Sequence, residues 1–321
     1  MAVVEDGAVI RSNLISSQVD VHGRFGGVVP ELASRQHVLA LTPMIDQAMA
    51  EAGIRFGQLD GVAVTIGPGL VGALLVGIAG AKAVALGTGA PFIGVNHLEG
   101  HVYANFLEHG PPEPPYVCLL VSGGHTMLVH MTDLHRFELL GQTVDDAAGE
   151  AFDKVARFLG LGYPGGPVLD ELARKGDPEA IRFPRAMLGS GSYDFSLSGL
   201  KTSVIRHVRR ERSEGREVAP ADLAASFQEA VVDVQVSKTM EAARSTGVGR
   251  VLLGGGVVAN SRLRERMQRA ADEAGIELRY PSSALCTDNG AMIACAGAYR
   301  LRAGERTSLD VGADPGLPLT G

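Results

Sequence analysis

The chain has 321 residues, 45% of them apolar and 20% charged, a composition that suits two folded domains and excludes a disordered chain. Its net charge of −7 excludes a protein that coats nucleic acid over its whole surface, while leaving room for a local basic patch. Cys118, Cys286 and Cys295 are too few and too scattered for a disulfide framework or a CxxC zinc site, so a reducing, cytoplasmic setting is expected.

The start, MAVVEDG, carries early acids and no apolar h-region, so no signal peptide is expected. Residues 2–9 read as a strand, and apolar residues at helical spacing mark a helix from Glu31 to Gly53. A short strand over 61–66, a Gly67-Pro68-Gly69 turn and a long apolar helix follow. Between Gly67 and Leu98 the only charge is Lys82, which would sit mid-membrane at a cost of roughly 3 kcal/mol. Ala73, Gly77, Ala81 and Ala85 offer a small-residue face, so this segment reads as a buried helix and not as a membrane span. A strand at 91–95 leads to a helix over 97–109. PPEPP (111–115) is the one linker-like stretch and marks a domain boundary.

Beyond it, 116–121 and 126–131 alternate like the strands of a hairpin. Helices are expected over 146–159, 168–175, 201–212, 222–244, 261–274 and 288–302, with strands at 250–253 and 276–279. Strands alternate with helices in both halves, so the fold class is α/β. The boundaries imply one lobe of residues 1–112 plus 290–321 and another of residues 113–289.

His97-Leu-Glu-Gly-His101 is the sharpest local signal. At i and i+4 on a helix, two imidazoles share one face and can share one metal ion. Glu99 at i+2 points some 200° away, which argues against a metallopeptidase of the HExxH type. Two surface histidines with no ligand role remain the plain alternative. Four glycine turns follow strands, at Gly67–Gly69, Ser122–Gly124, Gly165–Gly166 and Gly254–Gly256, and free backbone N–H groups there favour an anionic ligand. Gly254-x-Gly256-x-x-Ala259 satisfies the dinucleotide fingerprint literally, but no acid ends the next strand. Asp146 reads as a helix cap, with Glu150 and Lys154 as an i,i+4 pair. Asp153 has no such account. Asp170 reads as a solvated first-turn acid or a ligand acceptor, and Asp288 as an N-cap. Residues 201–216 carry seven basic side chains, counting His207, and Arg262, Arg264, Arg266 and Arg269 form a second basic face. Runs of this kind are by default solvated helix surface.

Taken in order, GPGLVGALLVG, NHLEGH, LLVSGGHT, AGEAFDKVAR, GYPGGP, DFSLSGLKT, GGGVVAN and CTDNGAMIA resemble the TsaD family of tRNA adenosine threonylcarbamoyltransferases, once labelled glycoproteases. The resemblance spans residues 26–302. It implies a two-lobed actin-like/sugar kinase/Hsp70 ATPase (ASKHA) fold with a nucleotide and metal cleft between the lobes. It also implies that His97, His101 and, from the other lobe, Asp288 bind one iron or zinc ion. Leu120, Val121, Ser122, Gly123 and Gly124, with Asp153, Gly166, Asp170 and Asn260, would contact the adenylate of threonylcarbamoyl-AMP. The implied reaction moves the threonylcarbamoyl group to N6 of adenosine 37 in tRNAs reading ANN codons. The implied partners are tRNA, a TsaB-like paralogue, a TsaE-like ATPase and a TsaC-type enzyme that supplies the adenylate. No general base is identified. Members of the family usually open with a strand and phosphate loop resembling ILGIETSCDDTG ahead of the segment matching AVVEDG; a misassigned start is expected here in preference to a natural truncation, and the sequence as written would leave a strand edge unpaired. The competing readings are a metallopeptidase and an inactive nucleotide-binding scaffold.

Overall fold

A computed structural model describes residues 1–319. The chain divides at Pro112/Glu113 and at Cys286/Thr287 into two compact units, one of Met1–Pro112 with the segment from Thr287 onward, the other of Glu113–Cys286. The first crossing falls inside PPEPP. The second lies three residues earlier than the expected boundary after 289, so Thr287, Asp288 and Asn289 go with the first unit.

The chain opens with β1 (Ala2–Glu5) and β2 (Val9–Asn13), then α1 (Val19–Gly23) and α2 (Pro30–Ala52). β3 (Val62–Gly67), α3 (Val71–Thr88), β4 (Phe92–Asn96), α4 (His97–Tyr103) and α5 (Phe106–His109) complete the first pass through unit one. Unit two contains β5 (Tyr116–Val121), β6 (Thr126–Asp133), β7 (Arg136–Gln142), α6 (Ala148–Leu159), α7 (Gly165–Ala173), α8 (Ser198–Ser213) and α9 (Pro220–Thr246). It ends with β8 (Arg250–Gly254), α10 (Ser261–Ala274), β9 (Glu277–Arg279) and α11 (Ser283–Cys286) before α12 (Gly290–Arg302) returns to unit one.

In unit one, β1 and β2 form an antiparallel hairpin and β3 and β4 a parallel pair, with no ladder joining the two sheets among the described residues. The turn at Asp6–Gly7 is what splits the expected 2–9 strand. Helix α12 packs against β1, β3, β4 and α4. Its Gly297 allows the approach to β3, since a Cβ there would stand 2.4 Å from that of Ala63. Asn105 and its neighbours break the expected 97–109 helix into α4 and α5.

Helix α3 differs from expectation. Only Leu74, Ile78 and Ala85 are buried, while Val71, Leu75 and Leu86 are exposed. The helix is apolar all round, but it finds neighbours on one side only: Gly77 faces Val64 of β3, and Gly72 and Gly80 face Ser34 and Leu41 of α2. By length and composition it is the one helix among the described residues apolar enough to cross a membrane. Lys82 in its middle donates to the Val311 carbonyl at 2.6 Å.

Unit two carries a five-stranded sheet in the order β7-β6-β5-β8-β9, antiparallel on the β6 side of β5 and parallel on the β8 side. The central strand β5 is buried along its whole length, as a continuous apolar run predicts. Val117, Leu119 and Val121 face a core built with Phe152 and Val155 of α6, Leu200, Val204 and Val208 of α8, and Phe227 and Val231 of α9. The i, i+4, i+8 stripe on α8 is the helical signature of one buried face. β7 was not expected: its residues are mostly exposed, and an edge strand needs no apolar alternation.

Asn289, and not Asp288, caps α12, its side chain accepting the Met292 N–H at 3.0 Å. Asn289→Ala is expected to lower stability by about 1 kcal/mol, whereas Asp288→Ala forfeits no cap. Denaturant unfolding of the two metal-free variants checks this, and equal losses would contradict the capping assignment.

Candidate functional site

Asn96 ends β4 and caps α4 by accepting the Leu98 N–H at 2.9 Å, so the helix begins at His97 itself. His97 and His101 therefore occupy one face, with ring centroids 4.7 Å apart. Gly100 between them lets α4 lie against α12, because a Cβ there would be 2.7 Å from Cδ1 of Ile293. That approach brings in Asp288, just ahead of α12. Its Oδ1 is 3.3 Å from Nε2 of both histidines.

All three ligand atoms lie within 4.8 Å of one another. For a tetrahedral ion with ligand bonds near 2.1 Å, neighbouring ligand atoms sit about 3.4 Å apart. The two Asp288–imidazole distances are close to that spacing, so the three side chains could hold an ion. Nδ1 of the buried His101 has no hydrogen-bond partner and Nε2 has only the 3.3 Å approach of Asp288, which is costly unless something else satisfies them. Burial pushes His101 below the ordinary imidazole value, with His97 adding to the effect and Asp288 opposing it. A neutral imidazole is the form that binds metal. Surrounding protein tends to raise the Asp288 carboxyl, yet its side chain is 77% exposed and the two imidazoles prevail, holding it well below the usual carboxylate range. All three ligands belong to one unit, which corrects the expectation that Asp288 comes from the other lobe.

Glu99 is turned elsewhere. It is buried, and its Oε2 lies 3.4 Å from Nη1 of Arg300. Burial pushes it up to about 7 against the pull of Arg300. Arg300 also donates to the Gly94 carbonyl at 2.8 Å and to Glu305 at 2.7 and 2.8 Å. This clamp ties the far end of α12 to β4 and α4. A peptidase's water-activating carboxylate is not provided by Glu99.

In unit two, β5 runs through Leu120 and Val121 into Ser122-Gly123-Gly124, beside the loop that follows β8. The glycines in these loops fall into two groups. Gly255, at φ +97°, would place a Cβ 2.3 Å from the Val121 carbonyl oxygen, and Gly165 one 2.7 Å from Cα of Asp153. These two exist for close packing. In unit one, Gly67 lies against the backbone of Asp314, so the first glycine turn is filled by the chain itself. Gly123, Gly124, Gly166 and Gly256 face open space with no left-handed φ. The chain's own packing gives no reason for glycine at these four positions, and the backbone is exposed at Gly123 and Gly124 and half-buried at Gly166 and Gly256.

Three polar side chains brace these loops. Asp153 accepts the Gly165 N–H at 2.7 Å at the start of α7, and burial raises its carboxyl despite that bond. Asp170 is buried, not solvated; its two oxygens accept from Ser261 Oγ at 2.8 Å and Arg174 Nη2 at 3.2 Å. Asn260 caps α10 through the Leu263 N–H at 3.0 Å and donates to Gln228 Oε1 at 2.8 Å. Gln228, Ser261 and Arg174 were not singled out from sequence. A polar Gln228 inside α9, a helix buried nearly all round, was the available signal. Asp146 does not cap α6; it pairs with Lys154 at 2.8 Å and Lys201 at 3.1 Å, while Glu150 and Lys154 pair as expected.

A family model described as TsaD, tRNA N6-adenosine threonylcarbamoyltransferase, matches residues 9–295. The chain belongs to this family. It is 58% identical over 318 residues to the tRNA N6-adenosine threonylcarbamoyltransferase of Symbiobacterium thermophilum, covering 99% of this chain and 93% of that one. Proteins of the same name from Desulfitobacterium hafniense and Clostridium botulinum are 54% and 51% identical, with 93% and 94% of their lengths covered. The chain is accordingly a transferase of a tRNA-modifying family.

Among solved structures, full-length HypF in its phosphate- and nucleotide-bound form matches with a TM-score of 0.59 at 16% identity, over 82% of this chain and 41% of HypF. The chain therefore spans about two-fifths of that protein. Component A of (R)-2-hydroxyglutaryl-CoA dehydratase from Acidaminococcus fermentans matches with a TM-score of 0.52 at 16% identity, over 94% of this chain and 93% of that one. These likenesses establish the fold, which is of the ASKHA type.

The two groups of glycines make separable predictions. Gly255→Ala is expected to cost about 2 kcal/mol or more in denaturant unfolding, through strain and overlap with Val121. Gly123→Ala is expected to leave stability within about 0.5 kcal/mol of the parent. Similar losses for both would contradict the division.

Proposed function

We propose that this chain transfers the threonylcarbamoyl group from threonylcarbamoyl-AMP to N6 of adenosine 37 in tRNAs reading ANN codons, releasing AMP. The observation that carries the reading is the His97–His101–Asp288 cluster, assembled with ion-sized spacing in a chain of this family. In the reaction the exocyclic nitrogen bonds to the carbamoyl carbon, the bond from that carbon to the adenylate oxygen breaks, and the amine gives up a proton. AMP is a good leaving group, so the step asks chiefly for positioning of two reactants.

His97, His101 and Asp288 would hold one divalent ion, Fe(II) or Zn(II), since nitrogen and oxygen donors suit either. When bound, the ion supplies Lewis-acid polarisation of a carbonyl or phosphoryl oxygen. The backbone at Gly123, Gly124 and Gly166, with Leu120, Val121 and Ser122 leading into the first two, is assigned to the adenylate. Open space at those glycines supports the assignment. Asp153, Asp170 and Asn260 are assigned further contacts there while they keep the loops in shape.

The partners we infer besides tRNA are a TsaB-like paralogue, a TsaE-like ATPase and a TsaC-type enzyme that makes the adenylate, all in the cytoplasm. Exposed Val38 and Leu39 on α2 and Leu75 and Leu86 on α3 support at least one protein partner, because such apolar surface marks an interface.

Unmodified tRNA, threonylcarbamoyl-AMP, ATP and the partner proteins incubated with this chain are expected to yield threonylcarbamoyladenosine, read by nucleoside mass spectrometry. Chelation or Asp288→Ala is expected to cut the rate on the order of a hundredfold or more, with metal restoring only the chelated parent. No product, or full turnover of a metal-free variant, would contradict the reading.

A further inference from the structure

Helix α8 carries its charge unevenly. Residues 201–216 hold Lys201 and five arginines against Glu211 and Glu214, a net of +4 in a chain whose total is −7. Both acids are taken: Arg210 and Arg216 pair with Glu211, and Arg216 also with Glu214. Lys201 is engaged by Asp146. That leaves Arg206, Arg209 and Arg212, all exposed and spaced i, i+3, i+6, with no ion pair or hydrogen bond to any side chain among the described residues.

Like charges at i, i+3 repel, so the strip works against its own helix. The second basic run behaves differently. Arg262 and Arg266 are bound by Glu229, Arg266 also by Asp233, Arg269 by Glu265, and Arg264 by backbone carbonyls and the ring of Tyr280. Those arginines stabilise unit two internally. The α8 strip pairs with no side chain among the described residues.

We propose that Arg206, Arg209 and Arg212 form a contact surface for the phosphate backbone of tRNA. This rests on the proposed tRNA substrate and adds the surface that meets it. A guanidinium fork matches a phosphate's paired oxygens, and three in a row suit a polyanion better than a single acidic side chain. No aromatic side chain is exposed on α8 to stack on a base, so the strip positions the RNA without reading its sequence.

The test is the triple variant Arg206→Gln, Arg209→Gln, Arg212→Gln, which keeps good helix formers. In the complete reaction, KM for tRNA is expected to rise on the order of tenfold or more, for every substrate tRNA alike. The slope of log KM against log salt is expected to become shallower by about two units. The turnover number, the KM for threonylcarbamoyl-AMP and the melting temperature are expected to stay at parental values. The corresponding triple lysine variant is expected to recover most of the salt slope. A parental KM and slope in the glutamine variant would overturn the proposal. So would an unchanged tRNA KM with loss of binding to one partner protein, which would assign the strip to an acidic protein surface. A wild-type chain that modifies no tRNA would instead remove the functional reading beneath it.

Discussion

The site depends on α4 lying hard against α12. Gly100 permits the contact by presenting no side chain to Ile293, and the cap on α12 falls to Asn289, which leaves Asp288 free to face the imidazoles. At the other end of α12, Arg300 grips Gly94 and Glu99, so the two helices are fixed at both ends of their contact. The side chains of His97, His101 and Asp288 are thereby held facing one another. Such preorganisation matters because a metal site loses affinity and specificity when its ligands must first be collected. Every participant in this arrangement lies in one compact unit.

Unit two is organised by the parallel pair β5 and β8. Their neighbouring ends place the loop at 122–124 beside the loop at 254–256, and Gly255 lets the second loop approach Val121 closely. Helix α9 runs buried along the sheet and contributes Gln228 and Glu229 to the helix N-terminus at Asn260 and to Arg262 and Arg266. The polar groups of this unit are largely consumed in holding loop shape. What they hold in place is backbone, and exposed backbone N–H groups are well suited to an anionic ligand that must be gripped without a large side chain.

Much of this was legible in the chain. Helix α10 is found at 261–274 as expected, because Asn260 and Gly275 are strong stop signals at its two ends. The i,i+4 histidines and the linker at 111–115 were equally plain. Spacing alone could not say whether Asp288 or Asn289 caps α12, since both are good caps, and only the folded position of α4 decides it. The exposure of α3 was also hidden: an apolar helix reads the same whether or not its outer face is covered. β7 escaped notice as a polar edge strand, and Gln228 escaped because a single amide in a long helix has no local signature. The residues proposed for the adenylate were marked only by resemblance to the family, and geometry then separated glycines that serve packing from glycines that face open space.

The central claim is that His97, His101 and Asp288 form one resident metal site. X-ray absorption spectroscopy on the purified, zinc-loaded protein tests it most directly. The account predicts one ion per chain bound by two imidazole nitrogens and one carboxylate oxygen, with the imidazole signature halved in His97→Ala. A sulfur ligand, or an unchanged spectrum in that variant, would contradict it.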